Sequence, residues 1–265
     1  MATTIANAQT TGKYANVNGI KMYYEVHGSG SPLVLLHGGG STIYTSFGRI
    51  LPELAKNHQV IAIELQAHGH TGDRNAAETF KQDADDVAEL IRQLNIPKAD
   101  ILGFSNGGQT TLELAINHHD KVRRIIVASA FYKRDGAQAG FWDGFSTATL
   151  NNMPQIYRDE YLKINPDSAA LLNMFNKDIQ RMKNFKGWTY EDMRSIQAPA
   201  LIVSGDHDVA TPEHTVEMYR ILPHSRLAIL PGAHGQYMGE AMFPDPNNKL
   251  PELFVAMVDE FLATP

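Results

Sequence analysis

The chain has 265 residues, 43% apolar and 20% charged, the balance of a globular protein able to bury a sheet with helices on both faces. A net charge of −6 with no Lys/Arg run leaves no electrostatic footprint for nucleic acid. The absence of cysteine excludes disulfides, thiolate nucleophiles and Cys-ligated metal centres, and no apolar run approaches the ~18 residues of a membrane-spanning helix.

The opening stretch MATTIANAQTTG contains Ala6-Asn7-Ala8, the pattern of a signal-peptidase site, but lacks the apolar region of a signal peptide. Residues 1–13 are therefore expected to be disordered and the protein cytoplasmic, with the periplasm or secretion reserved for a chain trimmed inside a signal. YANVNGIKMYYEVHG reads as a hairpin turning at Asn18-Gly19. PLVLLHG is a short continuous apolar run, the pattern of a strand buried on both faces. Gln59–Leu65 (QVIAIEL) and Lys98–Ser105 (KADILGFS) repeat it. Between those two, Val87, Leu90, Ile91 and Leu94 fall at helical spacing.

VRRIIVASA, APALIVSGD and SRLAILPGA are further buried-strand candidates. PEHTVEMYRIL and PELFVAMVDEFL are amphipathic helices with proline in the first turn. Strands alternating with helices predict an α/β fold with a mostly parallel, doubly wound sheet. From residue 132 to 193 the rhythm breaks: no buried strand appears, only aromatic and Met-rich helical patches that include Trp142, Phe145 and Tyr157. A structureless loop of that length does not fit inside a compact domain. The stretch predicts a helical cap (132–193) inserted between core segments 14–131 and 194–265. Phe131, Trp142, Phe145 and Tyr157 are expected to line a substrate pocket.

The chemistry concentrates in three places. Gly103-Phe104-Ser105-Asn106-Gly107 fits G-x-S-x-G directly after an apolar strand, with QTTLELAINHH able to form the following helix. This is the context of a nucleophile elbow, in which a tight turn lifts the serine hydroxyl clear of the sheet and aims the next N–H at the substrate. A serine needs a base to act as a nucleophile. LPGAHGQY supplies His234 just past the last strand, and SGDHDVATP offers Asp206 and Asp208 at the end of the one before. LLHGGGSTIYTSF places three glycines, Gly38 to Gly40, behind His37, where backbone must approach something closely.

On these motifs, in the chain order serine, aspartate, histidine, the chain resembles the α/β-hydrolase superfamily of serine hydrolases from about Tyr14 to Phe261. The glycine loop is similar to the HGG-x-GS loops of compact bacterial esterases. In that family the acid lies three residues after the glycine ending its strand, with proline four residues further on. Gly205, Asp208 and Pro212 match, so the resemblance implies Asp208 as the acid and Asp206 as a turn carboxylate. It also implies an oxyanion hole from the amides of Gly39 and Asn106, and a structural role for His37. The family's D-x-R-G-x-G-x-S signature appears as ELQAHGHT, with Glu64, Gln66, Ala67 and Thr71 in place of the usual residues.

The resulting expectation is a Ser105–His234–Asp208 hydrolase cleaving carboxylic esters through an acyl-enzyme, with short to medium acyl chains preferred. A lactonase, a cofactor-free perhydrolase or a C–C bond hydrolase would use the same triad. C–C hydrolases take acidic dienoates and place a basic residue on the cap side of the pocket, and the cap carries Arg158, Lys163, Lys177, Arg181, Lys183 and Lys186. A ligand receptor on the same fold is the non-enzymatic alternative. No G-x-G-x-x-G after a strand, P-loop or convergent set of metal ligands occurs, His68, His70 and Asp206-His207-Asp208 included, so neither cofactor nor metal is expected. The expected partner is a small ester or lactone, bound by a monomer or homodimer with no nucleic acid and no membrane span.

Overall fold

The computed structural model describes residues 12–264. β1 (Lys13–Val17) and β2 (Ile20–His27) pair as an antiparallel hairpin. Its turn residues Asn18 and Gly19 sit at φ 42° and 88°, the left-handed geometry that matches strand twist. The disorder expected for 1–13 and the Ala6-Asn7-Ala8 site lie outside the described residues, except for its last two positions. There one correction applies: Lys13 already pairs with Tyr24, because the hairpin register extends one residue beyond Tyr14.

Six further strands follow: β3 (Ser31–Leu36), β4 (His58–Ile63), β5 (Ala99–Phe104), β6 (Val122–Ala128), β7 (Ala200–Gly205) and β8 (Ser225–Leu230). They complete one sheet in the order β1-β2-β4-β3-β5-β6-β7-β8, parallel from β4 onward. Two short helices, α1 (Ile43–Phe47) and α2 (Leu51–Leu54), join β3 to β4. α3 (Phe80–Gln93) leads into β5 and α4 (Asn106–Asn117) leaves it. Between β6 and β7 run α5 (Phe141–Thr147), α6 (Gln155–Ile164), α7 (Ser168–Asn184) and α8 (Tyr190–Ser195). α9 (Pro212–Ile221) precedes β8, and α10 (Leu250–Ala263) closes the chain.

The alternation of side chains along β3 builds both faces of the core. Leu33 and Leu35 pack with Phe254 and Val258 of α10, while Val34 and Leu36 pack with Val87, Leu90 and Ile91 of α3 and Leu112 of α4. Each such side chain contributes roughly 1.5–3 kcal/mol on burial. Continuous apolar runs were therefore the right signature for these strands. β8 is the exception: it is the edge strand, covered by β7 on one side only, and its residues are partly exposed where SRLAILPGA reads as a buried strand.

Strand order reverses at β3, which has β4 on one side and β5 on the other. A crevice therefore opens beyond the carboxyl ends of β3 and β5, where doubly wound sheets bind ligands. The described residues include no helix long and apolar enough to cross a membrane.

Candidate active site

Ser105 stands between β5 and α4 with φ 54° and ψ −121°, a left-handed conformation that costs a serine roughly 1–3 kcal/mol. The turn that imposes it is packed against backbone on both sides. A Cβ on Gly103 would lie 2.1 Å from the Gly107 carbonyl oxygen, and one on Gly107 would lie 2.0 Å from that of Leu36. The strained turn leaves Ser105 Oγ 3.0 Å from His234 Nε2.

His234 Nδ1 lies 2.6 Å from Asp208 Oδ1, so with the proton on Nδ1 the ring accepts from the serine hydroxyl. Asp208 is buried, which by itself would raise its pKa. The charge and hydrogen bond of His234, the Ser129 hydroxyl and the Gly205 N–H outweigh that and bring it down to about 2. Ser129 in turn accepts from the Tyr237 hydroxyl at 2.8 Å. Asp206 does something else: it is exposed and accepts the Gly232 N–H at 2.8 Å, as a turn carboxylate does.

The glycine loop after β3 faces this group. A Cβ on Gly39 would lie 2.4 Å from Asn106 Nδ2, and Gly40 adopts φ +66°, so a side chain is excluded by contact at the first and by backbone conformation at the second. Neither the Gly39 N–H nor the Asn106 N–H has a hydrogen-bond partner among the described residues, and both residues line the same cavity as Ser105 and His234. His37 lies beneath, fully buried. Its Nδ1–H donates to the Gly38 carbonyl at 2.7 Å and its Nε2 accepts the Leu65 N–H at 3.0 Å. Burial, then the neighbouring His68 charge, hold its pKa down to about 3, so it stays neutral and structural.

The cavity, open to solvent, has a volume of about 390 Å³ between the strand ends and the helices that follow β6. Phe131, Phe145 and Tyr157 line it. Tyr157 also ties α6 to the loop after His234, donating its hydroxyl to Glu240 at 2.6 Å. Trp142 does not line it and is corrected to a packing residue. Its indole N–H donates to the Arg134 carbonyl at 2.7 Å, and its ring stacks on Phe185 beneath the Arg134 guanidinium. None of the basic residues of 132–193 reaches the lining, whose only carboxylate and imidazole are those of Asp178 and His234.

Asp178, on α7, carries no signal in the sequence analysis and sits at the centre of a buried network. Its Oδ2 accepts the Gly40 N–H at 2.5 Å and lies 3.0 Å from His68 Nε2. Its Oδ1 accepts from Arg181 and lies 3.5 Å from Asn106 Nδ2. Arg181 also donates to Asp83 at 2.6 Å and lies 3.7 Å from Glu78. Burial pushes the Glu78 and Asp83 carboxyls upward, opposed in each by the charges of Arg181 and His68. The network fastens α7 to the glycine loop and to α3.

Burial alone would depress His68, but the Asp178 charge and hydrogen bond push it up to about 9. A pKa raised on folding gives a contribution to stability that is complete below the ordinary value of about 6.5 and is lost as pH rises through about 9. The wild type is therefore expected to melt above His68→Gln at pH 7, with the gap closing by pH 10. Thermal melts of both proteins across that range check it, and a gap that widens with pH contradicts the charged state of His68.

A family model described as "Alpha/beta hydrolase family" matches residues 33–242. In sequence the chain is similar to "Serine hydrolase BPHL" of Homo sapiens, 28% identical over 270 residues, with 96% of this chain and 89% of that one covered. It is also similar to a pimeloyl-[acyl-carrier protein] methyl ester esterase of Neisseria meningitidis serogroup C, 28% identical over 253 residues, with 86% and 92% covered. In structure it is similar to the enol-lactonase from Burkholderia xenovorans LB400, with a TM-score of 0.74 at 22% identity, covering 95% of this chain and all of that one (100%).

Proposed function

The chain belongs to the α/β-hydrolase family and is a hydrolase; from that premise we propose that it cleaves neutral carboxylic esters through an acyl-enzyme on Ser105. The observation that carries the reading is the continuous relay from Ser105 Oγ through His234 to Asp208, with hydrogen-bond distances of 3.0 and 2.6 Å. His234 takes the serine proton as Oγ attacks the ester carbonyl, and Asp208 fixes the ring's tautomer and balances its charge. The unpartnered Gly39 and Asn106 amides receive the oxyanion. His234 then protonates the departing alcohol, and water repeats the sequence to free the acid.

A C–C hydrolase acting on acidic dienoates is the weaker reading, because the cavity lining holds no Lys or Arg to receive a substrate carboxylate. The methyl ester esterase among the relatives favours an ester as substrate. Phe131, Phe145, Met153 and Phe175 give the cavity apolar walls, and its volume of about 390 Å³ sets a limit to what they can cover. Each buried methylene adds roughly 0.8 kcal/mol until the wall is met, after which added carbon stays in water or strains the packing.

We expect multiple-turnover hydrolysis of aryl esters, with kcat/KM rising from acetyl to about butyryl or hexanoyl and falling beyond. A chain-length series measures this. Absence of turnover on every ester would remove the esterase reading in favour of a receptor, and a long-chain optimum with interfacial activation would turn it into a lipase.

A further inference from the structure

Three consecutive glycines leave the loop after β3 little stiffness of its own, yet an oxyanion hole works only if its donors are fixed before reaction. Two of the three glycine N–H groups are tied down. Gly38 N–H donates to Ser46 Oγ at 3.1 Å, and the Gly38 carbonyl accepts from His37 Nδ1 and the Ser41 N–H, all from the core side. Gly40 N–H donates to Asp178 Oδ2 at 2.5 Å, on α7 and 138 positions away in the chain. His68 Nε2 lies 3.2 Å from the same nitrogen, but the charged ring donates through Nδ1 to the Gln66 carbonyl and through Nε2 to Asp178, so the carboxylate is the acceptor. Gly39 N–H, between the two tethers, has no partner among the described residues. Asp178 also borders the second amide of the hole. Its Oδ1 makes a long contact of 3.5 Å with Asn106 Nδ2, and a Cβ on Gly39 would lie 2.4 Å from that Nδ2 and 3.3 Å from Asp178 Oδ2.

We propose that Asp178 is a positioning residue for the oxyanion hole: the helices between β6 and β7 supply the carboxylate that sets the Gly39 amide. This deepens the esterase reading and rests on it, in particular on the Gly39 and Asn106 amides receiving the oxyanion. Loss of the tether lets the Gly39–Gly40 segment rotate, and the free amide is then no longer held where charge develops. Substrate binding is left to the apolar walls, so the effect belongs in kcat and not in KM.

The test removes Asp178 in two ways and measures both constants on the aryl esters. Asp178→Ala strands the buried Arg181 guanidinium, so it is run beside Asp178→Ala/Arg181→Met, in which apolar groups replace the ion pair. In either variant that folds, kcat is expected to fall about 100-fold with KM within about threefold of wild type. Asp83→Asn weakens the same network through Arg181, at a point with no recorded bond to Gly40 or Asn106. It should lower the melting temperature while kcat stays within about threefold. A kcat within about threefold of wild type in a folded variant without Asp178, or a loss in Asp83→Asn as large as in Asp178→Ala, would overturn the proposal. Failure of both Asp178 variants to fold would overturn it too, by making the residue structural. In each of these cases wild-type turnover leaves the esterase reading standing. A wild type that hydrolyses no ester would instead sink that reading, and this inference with it.

Discussion

Ser105→Ala is expected to lower kcat on aryl esters by about 10⁴- to 10⁶-fold, the loss seen when a serine nucleophile is removed and only binding and the oxyanion hole remain. The fold should survive. The substitution deletes one oxygen whose recorded side-chain partner is His234, and alanine meets the same strain as serine at φ 54°. Circular dichroism and a melting point close to wild type must accompany the loss, because inactivity through unfolding would say nothing about the nucleophile. Activity within tenfold of wild type in the purified variant would remove Ser105 from the mechanism.

The second large effect separates the two aspartates that share one loop. Asp208→Asn keeps the shape but replaces an acceptor with an amide that favours the wrong tautomer of His234, and a loss of about 10⁴ in kcat is expected. It also exchanges a carboxylate that accepts from Ser129 and the Gly205 N–H for a group with half the acceptor capacity. Asp206→Asn, which alters only an exposed contact to the Gly232 N–H, is expected to stay within about threefold of wild type. Steady-state kinetics on one ester decides it, and reversed magnitudes would move the acid to Asp206.

What the sequence makes legible here follows from which physical patterns are local. Parallel strands are apolar on both faces, so PLVLLHG and KADILGFS declare themselves. The elbow does too, because a tight turn needs glycine at fixed offsets around Ser105. α1 and α2 are missed, being too short at five and four residues to show a helical period. Trp142 is misplaced because hydrophobicity cannot tell a packed face from a cavity wall. Only the docking of its indole N–H on the Arg134 carbonyl settles which it is.

Asp178 and Arg181 lie three residues apart on α7, and only Arg181 stands out in sequence, as one of several basic residues of the cap. Their burial depends on His68 and Asp83, which stand 110 and 98 positions away from their respective partners. ELQAHGHT shows the same dependence on context. Glu64 replaces the expected aspartate and accepts the His70 N–H at 2.6 Å, while Ala67, in place of glycine, holds φ 62°.

The central claim is that Ser105 becomes the acylated residue, and covalent labelling reads it without assuming any natural substrate. The protein is incubated with a serine-reactive aryl phosphonate, its intact mass is measured, and the modified peptide is sequenced by tandem mass spectrometry. One adduct per chain is expected, on the peptide containing Ser105, forming at a rate that falls steeply in Asp208→Asn and absent from Ser105→Ala. No adduct, or an adduct on another residue that persists in Ser105→Ala, would contradict the account.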